Sequence, residues 1–281
     1  MSANPLQLDG RIVVVSGAGG GGLGTTVSRM AAEAGATVVG VSRRQDNLDE
    51  HLGPLIERGL SVVTCAADVE TEAGVEKVMQ CVRDTQGELH GLVTVVGAGA
   101  PQTWGPSTKV SRDTWRGLFS QNLDSMFFMS QAVANELQAQ GRSGSIVAVS
   151  SITGLGAHPY NIGYGAAKAA VLSVVRTLAL ELVSANIRVN AVAPGAMVSP
   201  ASLLPPNPEL EHKAIPMGRK GDVSEVAGTI LFLLSEMSSY MTGQCLTVDG
   251  GINLRWSHMR EDNTPLLITN EGFLKMMKGE V

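Results

Sequence analysis

The chain has 281 residues, of which 44% are apolar and 17% charged, and its formal net charge is −5 at pH 7. That length allows one large domain or two small ones. The acidic balance, without any basic block, argues against a partner that is nucleic acid or an anionic membrane. No run of about 18 uncharged apolar residues occurs, so no membrane span is predicted.

The cysteines and the first residues bear on the compartment. Cys65, Cys81 and Cys245 are far apart in the sequence and odd in number, so they predict neither a metal site nor a disulfide framework. The opening MSANPLQLDGR lacks a charged segment followed by an apolar core, which a signal peptide would have. We therefore expect a cytoplasmic protein without a bound metal.

Short β-branched runs alternate with longer helical stretches along the chain. The runs are apolar at nearly every position, as expected for strands whose two faces are both covered. This alternation predicts an α/β fold, a doubly wound seven-stranded parallel sheet flanked by helices, Rossmann-like, in a single domain. The predicted strands are 11–16, 37–42, 61–66, 91–96, 145–150, 187–192 and 245–248.

Two regions depart from the alternation, and we divide the chain into a catalytic domain at 1–252 and a C-terminal extension at 253–281. Residues 194–221 are proline-rich without a clear period, and we expect a lid at about 196–217 or, alternatively, a plain surface loop. The apolar ASLLPP within it favours a moderately large apolar substrate. In the extension, Arg255-Trp256 and a helix candidate EGFLKMM indicate either a contact with a neighbouring subunit or pocket mouth, or a frayed end.

A glycine-rich turn follows the first predicted strand. Gly17, Gly19 and Gly22 satisfy the pattern G-x-G-x-x-G, and Gly24 follows where a helix should begin. Glycines let the backbone approach a pyrophosphate closely, and a helix N-terminus offers unpaired N–H groups to that anion. Between a strand and a helix the pattern predicts dinucleotide binding rather than a plain turn.

The end of the second predicted strand bears on which dinucleotide binds. An acid that would accept hydrogen bonds from a ribose 2′-hydroxyl is missing, because Ser42 stands there and Arg43 and Arg44 follow. A guanidinium suits a 2′-phosphate, so we predict NADP(H). The alternative is that both arginines begin a solvated helix. Asp68, after the third strand, is placed to meet the adenine or to cap a helix.

Two of the three tyrosines lie just before a lysine, and one of them fits a mechanism. Tyr164 and Lys168 are four residues apart and so share a helix face, whereas Tyr160 is eight residues from the lysine. A phenol with a pKa of about 10 is a poor acid or base at neutral pH. A neighbouring ammonium should lower that pKa, which would let Tyr164 transfer a proton.

These residues resemble the short-chain dehydrogenase/reductase family of the single-domain type. Ser151, Tyr164 and Lys168 match the family's Ser-x12-Tyr-x3-Lys, and Asn122 matches its helix asparagine. NAVAPG at 190–195 resembles the segment that contacts the nicotinamide, and 217–251 resembles the terminal helix and strand that usually build a subunit interface. The resemblance implies that Ser151 binds the substrate oxygen, Tyr164 passes the proton, Lys168 lowers the phenol pKa and holds the nicotinamide ribose, and Asn122 anchors a relay water.

The predicted sites follow from the motifs and the resemblance together. The substrate set is Ser151, His158, Tyr160 and Met197, although His158 and the nearby Trp104 could equally be ordinary loop and packing residues. The predicted catalytic set is Asn122, Ser151, Tyr164 and Lys168. The predicted cofactor-binding set is Gly17, Gly19, Gly22, Leu23, Gly24, Ser42, Arg43, Asp68, Val69, Gly97, Tyr164, Lys168, Pro194 and Gly195.

Three departures from the family pattern qualify the resemblance. The glycine loop is one residue longer, the usual Asn-Asn-Ala-Gly is Val-Gly-Ala-Gly at 96–99, and the extension has no counterpart. The expected function is hydride transfer between NADP(H) and a ketone or secondary alcohol, in a homo-oligomer that is a tetramer or dimer. The alternatives are an NAD-dependent alcohol dehydrogenase that works oxidatively and a catalytically silent dinucleotide-sensing regulator.

Overall fold

The structure, a computed structural model, describes residues 6–97, 99–200, 207–255, 259, 260 and 262–280. Seven strands of these residues form one parallel sheet in the order β3-β2-β1-β4-β5-β6-β9, and two short strands, β7 and β8, pair separately. The strands are β1 Arg11–Ser16, β2 Thr37–Ser42, β3 Val62–Ala66, β4 Glu88–Thr94, β5 Gly144–Val149, β6 Ile187–Pro194, β7 Met197–Val198, β8 Gly221–Asp222 and β9 Cys245–Val248.

The predicted seven-stranded parallel sheet is confirmed, and the differences lie at strand ends. β4 begins at Glu88, before the predicted 91–96, because that end pairs with β1, Glu88 lying opposite Arg11. β6 runs on to Pro194, since Pro194 still pairs with Val248 of β9. Pairing at the end of a strand depends on the neighbouring strand, and it does not change the apolar periodicity of the sequence.

Helices cover both faces of the sheet, which is why the strands are apolar throughout. Successive strand residues point to opposite faces: Val14 and Val39 pack in one apolar layer, and Val13 and Val38 in the other. The first layer includes side chains of α3, α5 and α6, and the second those of α1, α2 and α8. The helices are α1 Leu23–Glu33, α2 Gln45–Glu57, α3 Glu72–Asp84, α4 Arg112–Phe119, α5 Ser125–Ala139, α6 Ile162–Leu182, α7 Pro208–Ala214, α8 Val223–Leu234 and α9 Glu271–Met277.

The strand order reverses beside β1, which pairs with β2 on one side and β4 on the other. Chains leaving the carboxyl ends of such neighbours turn away from each other, so a crevice forms there. The segments that follow β1, β4, β5 and β6 all begin at this carboxyl end of the sheet, and they contain Gly17, Gly97, Ser151 and Gly195. The fold therefore brings most of the predicted site residues to one end of the sheet.

The proline-rich region is more regular than its sequence suggests. Within 194–221 the structure contains β7 and the short helix α7, whose first turn is capped by the Asn207 side chain accepting from the Leu210 N–H at 3.1 Å. The sequence shows no period here because capping by Asn207 and pairing of β7 with β8, and not apolar periodicity, form these elements. The ASLLPP at 201–206 lies outside the described residues.

The C-terminal extension contains the predicted EGFLKMM helix, which is α9 and is capped by Asn270. The Arg255 guanidinium donates to the Lys213 carbonyl at the end of α7 and to the Arg260 carbonyl at 3.1 Å. The extension is thus tied to the region predicted as a lid, and Trp256 lies outside the described residues. No helix in the described ranges is long and apolar enough to cross a membrane.

Candidate active site

The glycine loop between β1 and α1 has positions that only glycine fills. Gly17 has φ 89°, and a β-carbon there would lie 3.0 Å from the Val96 nitrogen. A β-carbon on Gly24 would lie 2.1 Å from the Gly17 carbonyl oxygen. Gly22 precedes α1 without a side-chain cap, Leu23 begins the helix, and its first turn carries no acid. The N–H groups at this helix end are therefore open to an anion such as a pyrophosphate, and the loop fits a dinucleotide.

The glycine loop contains a short turn that a side chain closes. Ala18–Gly20 form a 3₁₀ turn, and Gly21 follows with φ 66°. The Thr25 hydroxyl donates to the Ala18 carbonyl at 2.6 Å and accepts from the Gly21 N–H at 3.0 Å, which closes the turn. A β-carbon on Gly21 would lie 2.9 Å from the His51 ring, a contact with α2 that no sequence signal indicated.

A cavity of about 230 Å³ lies beside this loop at the ends of β2 and β3. Seven predicted cofactor residues line it: Gly17, Gly19, Ser42, Arg43, Asp68, Val69 and Gly97. Sequence reasoning missed Asn47, Glu70 and Gln121 in the same wall. Nothing in their sequence context distinguishes them from helix-surface residues, because the fold alone brings three separate elements to this cavity.

The two arginines after β2 have different surroundings. The Arg43 guanidinium lies in the cavity wall and forms an ion pair with Glu70 at 3.7 Å, with 64% of its side chain exposed. Arg44 occupies the N-cap position of α2 and pairs with Asp46 at 3.4 Å. The alternative that both arginines begin a solvated helix therefore describes Arg44 but not Arg43.

Asp68 does not cap α3, so that alternative is wrong. The cap is Thr71, whose hydroxyl accepts from the Gly74 N–H at 3.1 Å. Asp68 Oδ1 instead accepts from the Glu70 N–H at 3.1 Å and holds the turn before the helix. Three polar residues precede this helix, and residue type alone did not indicate which one reaches its N–H groups.

Three residues of the predicted catalytic set surround the first turns of α6. Ser151 follows β5, its hydroxyl accepts from the Thr153 N–H at 3.2 Å, and its side chain is near enough to Tyr164 to lower the pKa of that phenol. Lys168 lies one turn after Tyr164 and is 2% exposed, and its Nζ donates to the Val149 carbonyl at 2.9 Å. Lys168 Nζ lies 5.7 Å from the centre of the Tyr164 ring. The serine, phenol and ammonium are therefore brought together.

The pKa of the phenol differs from the prediction made from the sequence. Burial raises the pKa of Tyr164, and only the hydrogen bond from Ser151 opposes this. Burial also lowers the pKa of Lys168 to about 8. The ammonium donates to Val149 and not to the phenol, so the lowering of the Tyr164 pKa by Lys168 is not seen in the protein alone.

Asn122 lies in a feature that its sequence did not indicate. Residues Ser120–Asp124 form a π-helical turn between α4 and α5, and the Asn122 side-chain amide donates to the Leu118 carbonyl at 2.9 Å. Turns of this kind occur frequently at functional sites. A β-carbon on Gly97, where φ is 137°, would lie 2.4 Å from Asn122 Oδ1 and 2.9 Å from Lys168 Nζ. Gly97 is therefore the point where both polar groups converge.

The predicted substrate residues in the loop before α6 differ in their surroundings and exposure. The His158 ring lies edge-on to Trp104 at 5.4 Å and to Tyr164 at 6.5 Å, and burial lowers the pKa of its imidazole. The Tyr160 side chain is 61% exposed, its φ is 64°, and its carbonyl accepts from the Gly105 N–H at 2.7 Å. His158 thus borders Tyr164 and Trp104 packs against His158, whereas Tyr160 is exposed.

The remaining predicted residues lie beyond the end of β6. Pro194 is its last residue, and a β-carbon on Gly195 would lie 2.7 Å from the Asp249 α-carbon, so the two backbones approach closely. The Met197 side chain lies against Gly221 in the two-stranded sheet. In the described ranges, no group of three or more His, Cys, Asp or Glu side chains could hold a metal ion.

Comparison with known proteins agrees with this geometry. A family model described as enoyl-(acyl carrier protein) reductase matches residues 17–253. A tropinone reductase homologue of Arabidopsis thaliana is 38% identical over 88% of this chain and 92% of its own. A gluconate 5-dehydrogenase of Burkholderia cenocepacia, solved with NADP and tartrate, has TM-score 0.83 and 29% identity, over 91% of this chain and 100% of its own.

A 7α-hydroxysteroid dehydrogenase, solved with NADH and 7-oxo glycochenodeoxycholic acid, has TM-score 0.82 and 30% identity, over 89% of this chain and 97% of its own. These similar proteins thus include structures with either dinucleotide. The strand order, the glycine loop, the grouped serine, tyrosine and lysine, and the matched relatives lead to one conclusion: the chain belongs to the short-chain dehydrogenase/reductase family and is an oxidoreductase.

Proposed function

We propose that this protein transfers a hydride between NADP(H) and a ketone or secondary alcohol. The observation that carries the proposal is the convergence of Ser151, Tyr164 and Lys168, with Asn122 facing Gly97. A catalytically silent regulator would have no need of this set. The bound dinucleotide supplies or accepts the hydride, and the residues of the chain handle the oxygen and the proton.

Ser151 and Tyr164 would act on the substrate oxygen. Ser151 is near enough to Tyr164 to lower the pKa of the phenol, so both hydroxyls are positioned to meet one oxygen atom. In the reductive direction Ser151 stabilises the charge that develops on that oxygen, and Tyr164 donates a proton to it. In the oxidative direction the phenolate of Tyr164 removes the hydroxyl proton.

Lys168 and Asn122 would assist the proton transfer by Tyr164. Burial lowers the pKa of the Lys168 ammonium to about 8, so its proton is held less tightly than that of an exposed lysine. Because burial raises the Tyr164 pKa, the phenol needs a cationic neighbour in the loaded site, and Lys168 with the nicotinamide ring can provide one. Asn122 Oδ1 and Lys168 Nζ converge at Gly97, where a water could join them.

The choice of NADP(H) depends on the wall of the 230 Å³ cavity. Ser42 stands where an acid would select NAD(H), and the Arg43 guanidinium is exposed in the same wall. One observation favours NAD(H)-linked alcohol oxidation as a second candidate: the Glu70 carboxylate also lines this cavity and would repel a phosphate.

The substrate, the assembly and the location are part of the same proposal. His158 beside Tyr164, with Trp104 packed against His158, forms an aromatic border, which suits a moderately large apolar substrate. We propose that the protein acts as a homo-oligomer, a tetramer or a dimer, in the cytoplasm.

Turnover of a panel of ketones and secondary alcohols by wild type and Ser151→Ala, followed by NADPH absorbance, tests the function. We expect activity with at least one pair of compounds and a loss of about 100-fold or more in kcat for Ser151→Ala. Tight NADP(H) binding without turnover of any carbonyl would instead favour the regulator.

A further inference from the structure

The wall of the cavity beside the glycine loop contains a fixed negative charge, the Glu70 carboxylate, that the family pattern does not explain. Glu70 lies two residues after Asp68, and its carboxylate accepts from the Ser120 hydroxyl at 2.8 Å. Its side chain is only 23% exposed, whereas that of Arg43, its ion-pair partner at 3.7 Å, is 64% exposed. The carboxylate is therefore the anchored member of the pair, and the guanidinium is the member that can move.

We propose that Glu70 is a specificity-determining residue that competes with a cofactor 2′-phosphate for Arg43. The proposal rests on the proposed use of NADP(H). A dinucleotide with a 2′-phosphate has to take Arg43 from Glu70 and bind near an uncompensated carboxylate. A dinucleotide with a 2′-hydroxyl meets an ion pair that is already neutral. Glu70 thereby weakens the discrimination between NADP(H) and NAD(H).

The geometry supports competition rather than simple packing. At 3.7 Å the Arg43–Glu70 pair is longer than a hydrogen bond, so an incoming phosphate could displace it at small cost. Both residues line the cavity together with Ser42 and Asp68, which the strand order places at the ribose and adenine. A guanidinium binds a phosphate in bidentate geometry better than it binds a distant carboxylate.

Ser120 gives this pair a connection with the catalytic residues. It is the first residue of the π-helical turn that carries Asn122, and its hydroxyl is the anchor of Glu70. The carboxylate is thus held by the same π-helical turn that positions Asn122. Removing the Ser120 hydroxyl should free Glu70 to turn toward solvent and away from Arg43.

The test is the ratio of the dissociation constants for NAD⁺ and NADP⁺, measured by calorimetric titration of the full chain. We expect Glu70→Gln to raise the Kd(NAD⁺)/Kd(NADP⁺) ratio about tenfold, chiefly through tighter NADP⁺ binding, because the Arg43 guanidinium no longer has to leave a carboxylate to bind the phosphate. Glu72→Gln is the matched control, since Glu72 lies two residues after Glu70, exposed in the first turn of α3 and outside this cavity, and we expect a change below about twofold.

Two further variants test the competition itself. In an Arg43→Ala background the gain from Glu70→Gln should shrink below about threefold, because there is no guanidinium left to release. Ser120→Ala should raise the ratio by about threefold, and this gives a second measurement if Glu70→Gln does not fold. Titrations with the cofactor fragments 2′,5′-ADP and 5′-AMP should show the same pattern. That result would assign the effect to the adenosine half of the cofactor.

An unchanged ratio in Glu70→Gln, an equal change in Glu72→Gln, or a full gain in the Arg43→Ala background would each overturn the proposal. Failure of the proposed function is a separate result. If wild type binds NADP⁺ no better than NAD⁺, the NADP(H) assignment fails. A tenfold gain in Glu70→Gln would still show that this carboxylate sets the preference.

Discussion

Gly97 is the position where a single methyl group should damage catalysis most selectively. Its φ of 137° is a conformation that residues with a β-carbon rarely adopt, so Gly97→Ala should cost roughly 1–3 kcal/mol of stability from the backbone alone. The new methyl would also lie 2.4 Å from Asn122 Oδ1 and 2.9 Å from Lys168 Nζ, so both groups have to shift.

A displacement of about 1 Å in groups that position a reaction costs about 100-fold in rate. We therefore expect kcat to fall about 100-fold in Gly97→Ala, measured by NADPH absorbance at saturating cofactor. Gly59→Ala is the matched control, because Gly59 has φ 80° and its β-carbon would meet nothing within 4 Å. It should lose about 1–2 kcal/mol of stability and keep its kcat.

The comparison separates strain from catalytic geometry. Stability is measured by urea denaturation of both variants, and turnover at a temperature where both are folded. If Gly97→Ala kept kcat within about threefold of wild type while its fold was intact, Asn122 and Lys168 would not form a relay at Gly97.

Three further variants test the cofactor and stability assignments. Arg43→Asp should raise the KM for NADPH far more than that for NADH, and equal effects would remove Arg43 from phosphate binding. Burial lowers the Lys168 pKa from 10.5 to about 8, so the unfolded chain binds more protons between these values and the stability of wild type rises with pH across them. Lys168→Met should therefore be inactive yet more stable by roughly 2–3 kcal/mol at pH 7 in denaturant titrations, and a gain that persisted above pH 10.5 would contradict this cause. Thr71→Ala should cost about 1 kcal/mol through loss of the α3 cap with NADP⁺ binding unchanged, whereas Asp68→Ala should weaken NADP⁺ binding more than stability, as titration and melting would show.

The sequence was sufficient to predict the sheet and the grouping of Ser151, Tyr164 and Lys168. The seven apolar runs predicted the strands because burial on both faces leaves a continuous apolar signal. The spacing of Ser151, Tyr164 and Lys168 placed two of them on one helix face, which depends only on helical periodicity.

What the sequence did not show depends on contacts between distant segments. Glu70, Asn47 and Gln121 meet in one cavity only because the sheet order brings their elements together. The π-helical turn at Asn122 and the role of Gly97 likewise require the packed structure. The raised pKa of Tyr164 in the protein alone was not predicted for the same reason, since burial of the phenol cannot be read from its spacing to Lys168.

The central claim is that Tyr164 is the group that exchanges a proton with the substrate oxygen. Single-turnover loss of NADPH absorbance with a reactive ketone, compared between Tyr164→Phe and Tyr160→Phe, tests it most directly. Tyr160 lies just before α6, four residues from Tyr164, but is 61% exposed, so its variant carries the same chemical change outside the proton path. We expect Tyr164→Phe to slow the step by at least about 100-fold with NADPH binding preserved, and Tyr160→Phe to remain within a few-fold of wild type. Equal rates for Tyr164→Phe and wild type would contradict the account.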